Sequence, residues 1–274
     1  MKFHGLVDLY RKSHEYRSLT FNSKRTYDLI IDKRLNTLRD TNIEQITRQD
    51  LIMLRDLYCS TASVANLMVS VSSILFKFAE DRGYIQTSPA YRIRKFKTQP
   101  IPQWPEYAIK FVLENFRSLC VLATMVALYT GQRQCDILKM KWSDYDGENI
   151  SVRQQKTGKQ MVIPCHSSLK AYLDAAKMKA IGKYIIAKQD GGRMTPQLFR
   201  SYWYRESKAH DFPYKFHGLR KTAAARLAEA GCTPHEIASI TGHSTLFMVQ
   251  KYSEGARQKV LADKALAKLE AVTT

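Results

Sequence analysis

Six side chains between residues 133 and 252 have the types needed to break a phosphodiester bond. They are Arg133 in TGQRQCD, Lys156 in QQKTGKQ, His217 and Arg220 in HGLRKT, His243 in TGHS, and Tyr252 in QKYSEG. A phosphodiester is an anion with a poor leaving group. Breaking it without a metal therefore requires cations on the phosphate oxygens, a nucleophile and a proton donor. The set supplies each part, and no metal-ligand motif or nucleotide-binding loop in the sequence competes with it.

The pair His217 and Arg220 lies at the predicted start of a helix that Gly231 ends. A spacing of three places both side chains on one helix face. The free N–H groups of a helix N-terminus favour a bound anion, and the planar arginine fork matches two phosphate oxygens. The alternative for this pair alone is a surface arginine beside a capping histidine.

Arg133 follows Thr130 and Gly131, and the glycine allows a sharp turn that projects the next basic side chain into a cleft. Asp136 follows within one helical turn, where its carboxylate can hold a neighbouring cation in a buried ion pair. Taken alone, Arg133 could equally be a salt-bridged surface residue.

Lys156 lies at the tip of a predicted hairpin, with Lys159 in the same turn. A lysine on a mobile tip can move into and out of a groove. Two nearby arginines would lower its pKa and make it a better proton donor. A solvated turn lysine is the alternative, and Lys159 remains the competitor for the role.

Tyr252 is a candidate nucleophile nine residues after His243. The unperturbed pKa of tyrosine is about 10, so phenolate formation needs help from nearby cations and a base. Because the chain has 15 tyrosines, a purely structural role is the alternative for Tyr252 considered by itself.

Composition favours a polyanionic partner. The 274 residues carry 43 Lys and Arg against 25 Asp and Glu, a formal net charge of +18, which points first to nucleic acid. A basic protein without such a partner is the alternative.

The chain has five cysteines, an odd number, and none of them forms a CxxC pair. This predicts reduced thiols, a cytoplasmic protein and no zinc site. No signal peptide is predicted for the opening residues MKFHGLVDLYRK, and the strongest apolar run, residues 119–129, is predicted to be a core helix too short to span a bilayer.

The apolar spacing predicts two domains. Residues 1–95 predict a bundle of four helices, with Thr47 as an N-cap opposite Asp50 and Ser63 as the cap of the next helix. Residues 96–105 predict a linker containing three prolines. The basic run 92–97 before it suits either a solvated face or a segment lying along phosphates.

Residues 106–274 predict a second domain that is mainly helical with one small sheet. Residues 150–164 alternate as a hairpin around Lys156 and Gly158. Helices are predicted over residues 106–116, 119–129, 136–140, 168–180, 195–209, 217–230, 233–240 and 244–251. A tail helix begins at about residue 256. The expected fold class is thus mainly α with a small β-sheet.

The ordered set of motifs resembles the catalytic signature of the tyrosine recombinase, or phage integrase, family. The matching segments are ALYTGQRQCDILKMKWSDYD, QQKTGKQMVIP, HGLRKTAAARLAEAG, ITGHS and the segment around Tyr252. They span residues 120–255, while the first hundred residues resemble the family's core-binding domain only in kind. Each motif is weak alone, and the ordered set is specific.

The resemblance implies a role for each site residue. Arg133 and Arg220 would clamp the scissile phosphate, and Tyr252 would attack it to form a 3′-phosphotyrosyl link. Lys156 would protonate the leaving 5′ oxygen, His217 would act as base toward the tyrosine, and His243 would hydrogen-bond the phosphate. Asp136 matches the acidic position that supports the site. No metal, cofactor or ATP is implied.

The resemblance also implies how the protein works on DNA. The two domains would close around a duplex carrying a specific recombination site, as a C-shaped clamp. Four copies would assemble on two sites, with the tail helix docked into a neighbouring subunit. DNA-bending or directionality factors would assist. The arm-binding domain that many temperate-phage integrases carry at the N-terminus is not expected here, which brings the chain closer to two-domain Xer recombinases.

Three other functions stay open from the sequence. A relaxing enzyme of the type IB topoisomerase kind uses similar chemistry without partner subunits. A non-catalytic DNA-binding protein would have no need of Tyr252, and a scaffold that binds DNA through charge alone would not discriminate between duplexes. Within the family, integration is not separated from excision, inversion or dimer resolution.

Overall fold

The computed structural model describes residues 1–245 together with residues 262–263, 265–267 and 269–270. The chain divides into two compact units, Met1–Pro100 and Ile101–Thr274. Each unit has its own cluster of buried apolar side chains. Tyr252 and most of the predicted tail from residue 256 lie outside the described residues. The predicted helix over residues 244–251 also lies outside them, except for Ser244 and Thr245, which are described and are not helical.

The first unit is helical throughout its described elements. Its helices are α1 (Phe3–Lys12), α2 (His14–Arg17), α3 (Phe21–Arg34), α4 (Arg48–Asp56) and α5 (Ala62–Asp81), with short 3₁₀ turns at Asn36–Leu38 and Cys59–Thr61. The amphipathic helix α1 buries Phe3, Leu6, Val7 and Tyr10. Helices α1, α3 and α4 all pack against α5. This unit has one helix more than the four predicted, because the Ser13 side chain accepts the Tyr16 N–H and starts the short helix α2.

The predicted N-cap is confirmed for α4 and is wrong for α5. Thr47 and Asp50 form a capping box at the start of α4, with the Thr47 N–H donating to Asp50 Oδ2 at 2.8 Å. Ser63 does not cap α5, because the helix already begins at Ala62 and Ser63 lies inside it. The preceding 3₁₀ turn leads directly into α5, so no side-chain cap is needed to start it.

Helix α5 is the centre of the first unit. By length and composition alone, Cys59–Asp81 is apolar enough to cross a membrane, and it is longer than the apolar run 119–129 singled out from the sequence. Nine residues of α5 are buried against the other helices of the unit, which accounts for its apolar character.

The second unit is built on two central helices. Its helices are α6 (Glu106–Asn115), α7 (Ser118–Thr130), α8 (Gln134–Ile137), α9 (Ser167–Lys177), α10 (Pro196–Ala209), α11 (Gly218–Glu229) and α12 (Pro234–Thr241). Helix α7 is apolar on nearly all sides and packs against α9 and α11, while α11 also packs against α12. Five of these helices lie within one residue of the predicted bounds. Helix α8 lies at Gln134–Ile137, where residues 136–140 were predicted, and α9 ends at Lys177, three residues before the predicted end.

One two-stranded antiparallel sheet lies in the second unit. Strands β1 (Asn149–Arg153) and β2 (Gln160–Pro164) pair with Val152 opposite Met161 and Arg153 opposite Gln160. Alternate residues point inward, as the pattern predicts. The turn closes through Gly158, whose φ of 71° suits a residue without a side chain. The described structure is therefore mainly α with a small β-sheet, as the fold class predicted.

Both ends of the predicted linker, residues 96–105, contact a folded unit. The Phe96 N–H donates to Asn66 Oδ1 at 2.8 Å in the first unit. In the second unit Trp104 is buried, and its backbone N–H donates to Thr222 Oγ1 at 2.7 Å. The basic run 92–97 has exposed basic side chains, with Ile93 buried between them.

Candidate active site

Arg220 is a buried cation held by the ends of two helices. It lies in the first turn of α11 and is only 5% exposed. Its Nη1 donates to the carbonyl of Gly131 and to the carbonyl of Thr241, both at 2.7 Å. These carbonyls lie at the C-termini of α7 and α12, where the helix dipoles place negative charge. The two helix ends thus compensate a largely buried guanidinium.

The two helix ends have the same local design. Each is a Thr-Gly pair whose glycine is left-handed, with φ of 62° at Gly131 and 69° at Gly242. A β-carbon on Gly131 would lie 2.7 Å from Thr241 Cγ2, and one on Gly242 would lie 2.2 Å from Gln154 Nε2. Backbone conformation and close packing therefore both require glycine here, and both turns lead directly into predicted site residues.

Arg133 lies two residues after Gly131 in the chain. Its Nη1 donates to Gln154 Oε1 at 3.2 Å and lies 4.0 Å from Asp136 Oδ2. Asp136 is 2% exposed, and its Oδ1 accepts the backbone N–H of Gln155 at 2.8 Å. The carboxylate therefore faces Arg133 and anchors the base of the hairpin turn, and its supporting role in the site stays a prediction.

Lys156 lies on the exposed turn between β1 and β2. The turn is fixed at its base, where the Gly158 N–H donates to the Gln154 carbonyl and Thr157 Oγ1 donates to Gln154 Oε1, both at 2.9 Å. Lys159 is also exposed, and its carbonyl accepts the Gln154 N–H in the ladder. Lys156 therefore occupies the outermost part of the turn, whereas Lys159 lies next to the strand.

His217 is the N-cap residue of α11, three positions before Arg220. The residue is exposed overall, yet partial desolvation of its ring lowers its pKa, and Arg220, Lys221 and Arg133 lower it further. An imidazole that stays neutral near several cations can accept a proton, which is what a base requires.

His243 is buried, and its protonation can be read from its partner. Burial lowers its pKa to about 4, and the charges of Arg220 and Arg133 act in the same direction. Thr241 has one hydroxyl hydrogen, which it donates to the Ile237 carbonyl at 2.7 Å. Placing the hydroxyl hydrogen on the Ile237 side assigns the ring hydrogen to His243 Nδ1, which lies 2.6 Å from Thr241 Oγ1. Donation from Nε2 then requires a second proton on the ring.

The structure thus brings together the segments of five of the six predicted residues. Arg220 joins the turns that carry Arg133 and His243, and Arg133 contacts the hairpin that carries Lys156. His217 shares a helix with Arg220. The sixth residue, Tyr252, lies outside the described residues.

Gln154 was missed by the sequence reasoning, although a signal for it existed. Ile150 and Val152 point inward in β1, so the next inward position along the strand is residue 154. A glutamine there is a polar side chain at a core position. It is fully buried, and its amide contacts Gln132, Thr241, Arg133 and Thr157.

Comparison with known proteins identifies the family. The model of the phage integrase family matches residues 108–259, more than half of the chain. The integrases of Enterobacteria phage 434 and Escherichia phage lambda are each 28% identical over 269 residues, covering 92% of this chain and 75% of theirs. A tyrosine recombinase XerC from Bifidobacterium longum is 26% identical over 158 residues, 51% of this chain and 44% of its own.

Solved structures extend the similarity to the whole fold. A lambda integrase (75–356) dimer bound to a COC′ core site aligns with a TM-score of 0.81 and 26% identity, covering 92% of this chain and 95% of that one. A lambda integrase tetramer bound to a Holliday junction aligns with a TM-score of 0.77 and 27% identity, over 89% and 78% of the two chains. An integrase of the Tn1549 transposon shares the fold at 18% identity and a TM-score of 0.76. The ordered motifs, the fold and these matches show that the chain belongs to the phage integrase family and is a tyrosine site-specific DNA recombinase.

Proposed function

We propose that this recombinase cuts and rejoins duplex DNA at Tyr252, with Arg133, Arg220, His217, His243 and Lys156 completing the site and Asp136 supporting it. The observation that carries the assignment is the pair of bonds from Arg220 to the Gly131 and Thr241 carbonyls. They tie the segment of Arg133 to the segment of His243 around one buried cation. Such a fixed array can stabilise charge that builds up on a phosphate during the reaction.

The reaction balances without an outside energy source. The Tyr252 oxygen forms a bond to phosphorus while the bond from phosphorus to the 5′ oxygen breaks. His217 takes the phenol proton, and Lys156 gives a proton to the departing 5′ oxygen. The resulting 3′-phosphotyrosyl ester keeps the bond energy, so attack by another 5′ hydroxyl reverses the steps and joins a new strand. The residues assigned here perform the cycle without ATP.

His243 gains its role when a phosphate is present. In the described structure its Nδ1–H is committed to Thr241, and its pKa is about 4. A phosphodiester anion between the arginines would offset their charge and raise the pKa of the imidazole. The ring can then take a proton at Nε2 and donate it in a hydrogen bond to a phosphate oxygen.

The lambda integrase tetramer on a Holliday junction supports the same assembly for this chain. In this assembly four copies of the chain would bind two specific duplex sites. The tail from about residue 256 would pack against the next subunit, and within its described part Leu266 is 55% exposed. Integration of a viral or mobile element into bacterial DNA, in the host cytoplasm and with accessory DNA-bending factors, fits the phage relatives. An Xer-type role uses the same chemistry.

The nucleophile is tested by Tyr252→Phe. The variant should bind a DNA fragment carrying the site with wild-type affinity, yet form no covalent adduct in denaturing gels, because it lacks the attacking oxygen. Adduct formation by the variant would refute the assignment of Tyr252. Sequencing the DNA trapped on the wild-type protein in its native cells would identify the target site.

A synapsis assay separates recombination from relaxation. Two differently labelled site fragments should be recovered as one complex and as joint products with the wild-type protein. Deleting the residues after Gly255 should reduce pairing of the two fragments much more than binding of one. Relaxation of supercoiled DNA without joint products would favour the type IB topoisomerase alternative.

A further inference from the structure

Gln154 is a buried side chain whose hydrogen-bonding capacity is fully used. It is 0% exposed at the end of β1. Its Nε2 donates to Gln132 Oε1 at 2.7 Å and to the Thr241 carbonyl at 2.9 Å. Its Oε1 accepts from Arg133 Nη1 at 3.2 Å and from Thr157 Oγ1 at 2.9 Å. An amide can make two donor and two acceptor bonds, and all four are present.

The orientation of this amide is determined by its partners. The Thr241 carbonyl can only accept, so the nitrogen must face it and the oxygen must face Arg133 and Thr157. A flipped amide would place its oxygen against two acceptors and its NH₂ against the guanidinium. The side of Gly242 is closed as well, since Nε2 lies 2.2 Å from where a β-carbon would stand. The amide therefore has one satisfactory position.

The nitrogen and the oxygen of the Gln154 amide bind parts of the site that differ in burial. Its nitrogen is bonded to the Thr241 carbonyl, which also receives the buried Arg220. Its oxygen is bonded to Arg133, which is half-buried, and to Thr157, which lies on the exposed turn beside Lys156. Gln154 thus connects the Arg220 frame, meaning Arg220 with the carbonyl that holds it, directly to Arg133 and to the turn that carries Lys156.

We propose that Gln154 is a positioning residue that aligns both Arg133 and the Lys156 turn with the Arg220 frame. This inference rests on the site roles proposed above and adds a residue that touches no DNA in its own right. Its effect should appear in the rate of strand cleavage and much less in DNA affinity, because misplacing reacting groups by about 1 Å can cost about 100-fold in rate.

Two substitutions distinguish the effect of Gln154 on Arg133 from its effect on the turn that carries Lys156. Gln154→Met keeps the approximate shape and removes all four hydrogen bonds. Thr157→Val removes only the hydroxyl on the turn, at an exposed position where folding is not at risk. Gln197→Met, at an exposed position of α10, is the matched control for the first substitution.

The measurement is single-turnover cleavage of a site fragment at saturating protein, with DNA affinity and thermal unfolding recorded alongside. Each protein is tested on an ordinary substrate and on one whose 5′ bridging oxygen is sulfur. The sulfur leaves as a thiolate and needs no proton, so only defects in proton donation disappear with it.

Gln154→Met should cleave the ordinary substrate about 100-fold more slowly, with affinity changed by less than about threefold. Thr157→Val should lose about fivefold, the equivalent of one hydrogen bond. The sulfur substrate should remove the Thr157→Val defect completely and the Gln154→Met defect only in part, because Arg133 stays misplaced. Gln197→Met should match the wild type on both substrates.

Several outcomes would overturn the proposal. These are a wild-type cleavage rate in Gln154→Met, a loss of rate matched by an equal loss of affinity, and complete rescue or no rescue of Gln154→Met by sulfur. If Gln154→Met does not fold, an unchanged rate in Thr157→Val overturns the link to the turn. Failure of the proposed function is recognised separately, because the wild-type protein would then form no adduct at Tyr252.

Discussion

Arg220 and Lys156 carry the same charge in opposite settings. Arg220 is 5% exposed and is fixed by the carbonyls at the ends of two helices. Lys156 stands on an exposed turn that is held at its base by Gln154 and Asp136. One cation is built into the core of the second unit, and the other is carried on its surface.

The difference in setting suits the two roles proposed for these residues. A group that stabilises developing negative charge is most effective when it is already oriented and shielded from water, since no reorganisation is then needed. A proton donor must approach the leaving oxygen and exchange protons with solvent between reactions. The contrast predicts that changes at Arg220 act on folding and chemistry together, whereas changes at Lys156 act on one proton transfer.

Replacing Arg220 should have the largest effect. In Arg220→Lys the ammonium can bond the Gly131 and Thr241 carbonyls but has no second nitrogen to reach a phosphate. Single-turnover cleavage should fall by about 1000-fold, the cost of removing one preorganised donor. Arg226→Lys, on the outer part of the same helix, should cleave at the wild-type rate. Comparable losses in the two variants would contradict the distinction.

Replacing Lys156 should have an intermediate effect that chemistry can repair. Lys156→Ala should slow cleavage about 100-fold through loss of the proton donor. A substrate with a sulfur leaving group should restore the rate, while thermal unfolding stays as in the wild type because the residue is exposed. Lys159→Ala is the matched control, and rescue there in place of Lys156→Ala would move the role to Lys159.

The smallest predicted effect concerns the stability of the free protein in acid. The pKa of His243 is about 4 when folded, below its ordinary value, so the unfolded chain binds this proton first as pH falls. The free energy of unfolding should therefore decrease as the pH falls from about 6.5 to about 4. His243 should account for a loss of about 2 kcal/mol by pH 5.

The control for this effect is His243→Phe, which cannot titrate. Denaturant unfolding of both proteins should give curves that diverge with pH, with the wild type losing more stability in acid. Parallel curves would show that His243 does not carry the effect. DNA that places a phosphate at the site should reduce the difference, because the anion raises the pKa of the imidazole.

Elements governed by local rules were predicted well from the sequence. The hairpin followed from alternation and the Gly158 turn, and the Thr47 cap followed from its partner Asp50. Ser63 shows the limit of such reasoning, because a capping residue type has no effect inside a helix that has already started. The roles of the six site residues came from their order in the chain and remain proposals.

The connections between motifs were not predicted. Gly131 looked like a turn glycine, and nothing in its own segment indicated that Thr241 lies against it. Three of the four partners of Gln154 come from outside the hairpin: Thr241 ends α12, and Gln132 and Arg133 lie between α7 and α8. Apart from the bond between Gln154 and Thr157, these contacts join residues 21 to 110 positions apart in the chain, from the pair Arg133 and Gln154 to the pair Gly131 and Thr241.

The sequence by itself determined the types of chemical group, their order, the helices and the hairpin, because periodicity and turn chemistry act over a few neighbouring residues. Only the tertiary structure decided that two helix ends would meet at one guanidinium, and that a buried amide would connect them to the hairpin. Burying a charge or an amide is favourable only when all its partners are in place, and those partners come together only when the chain has folded.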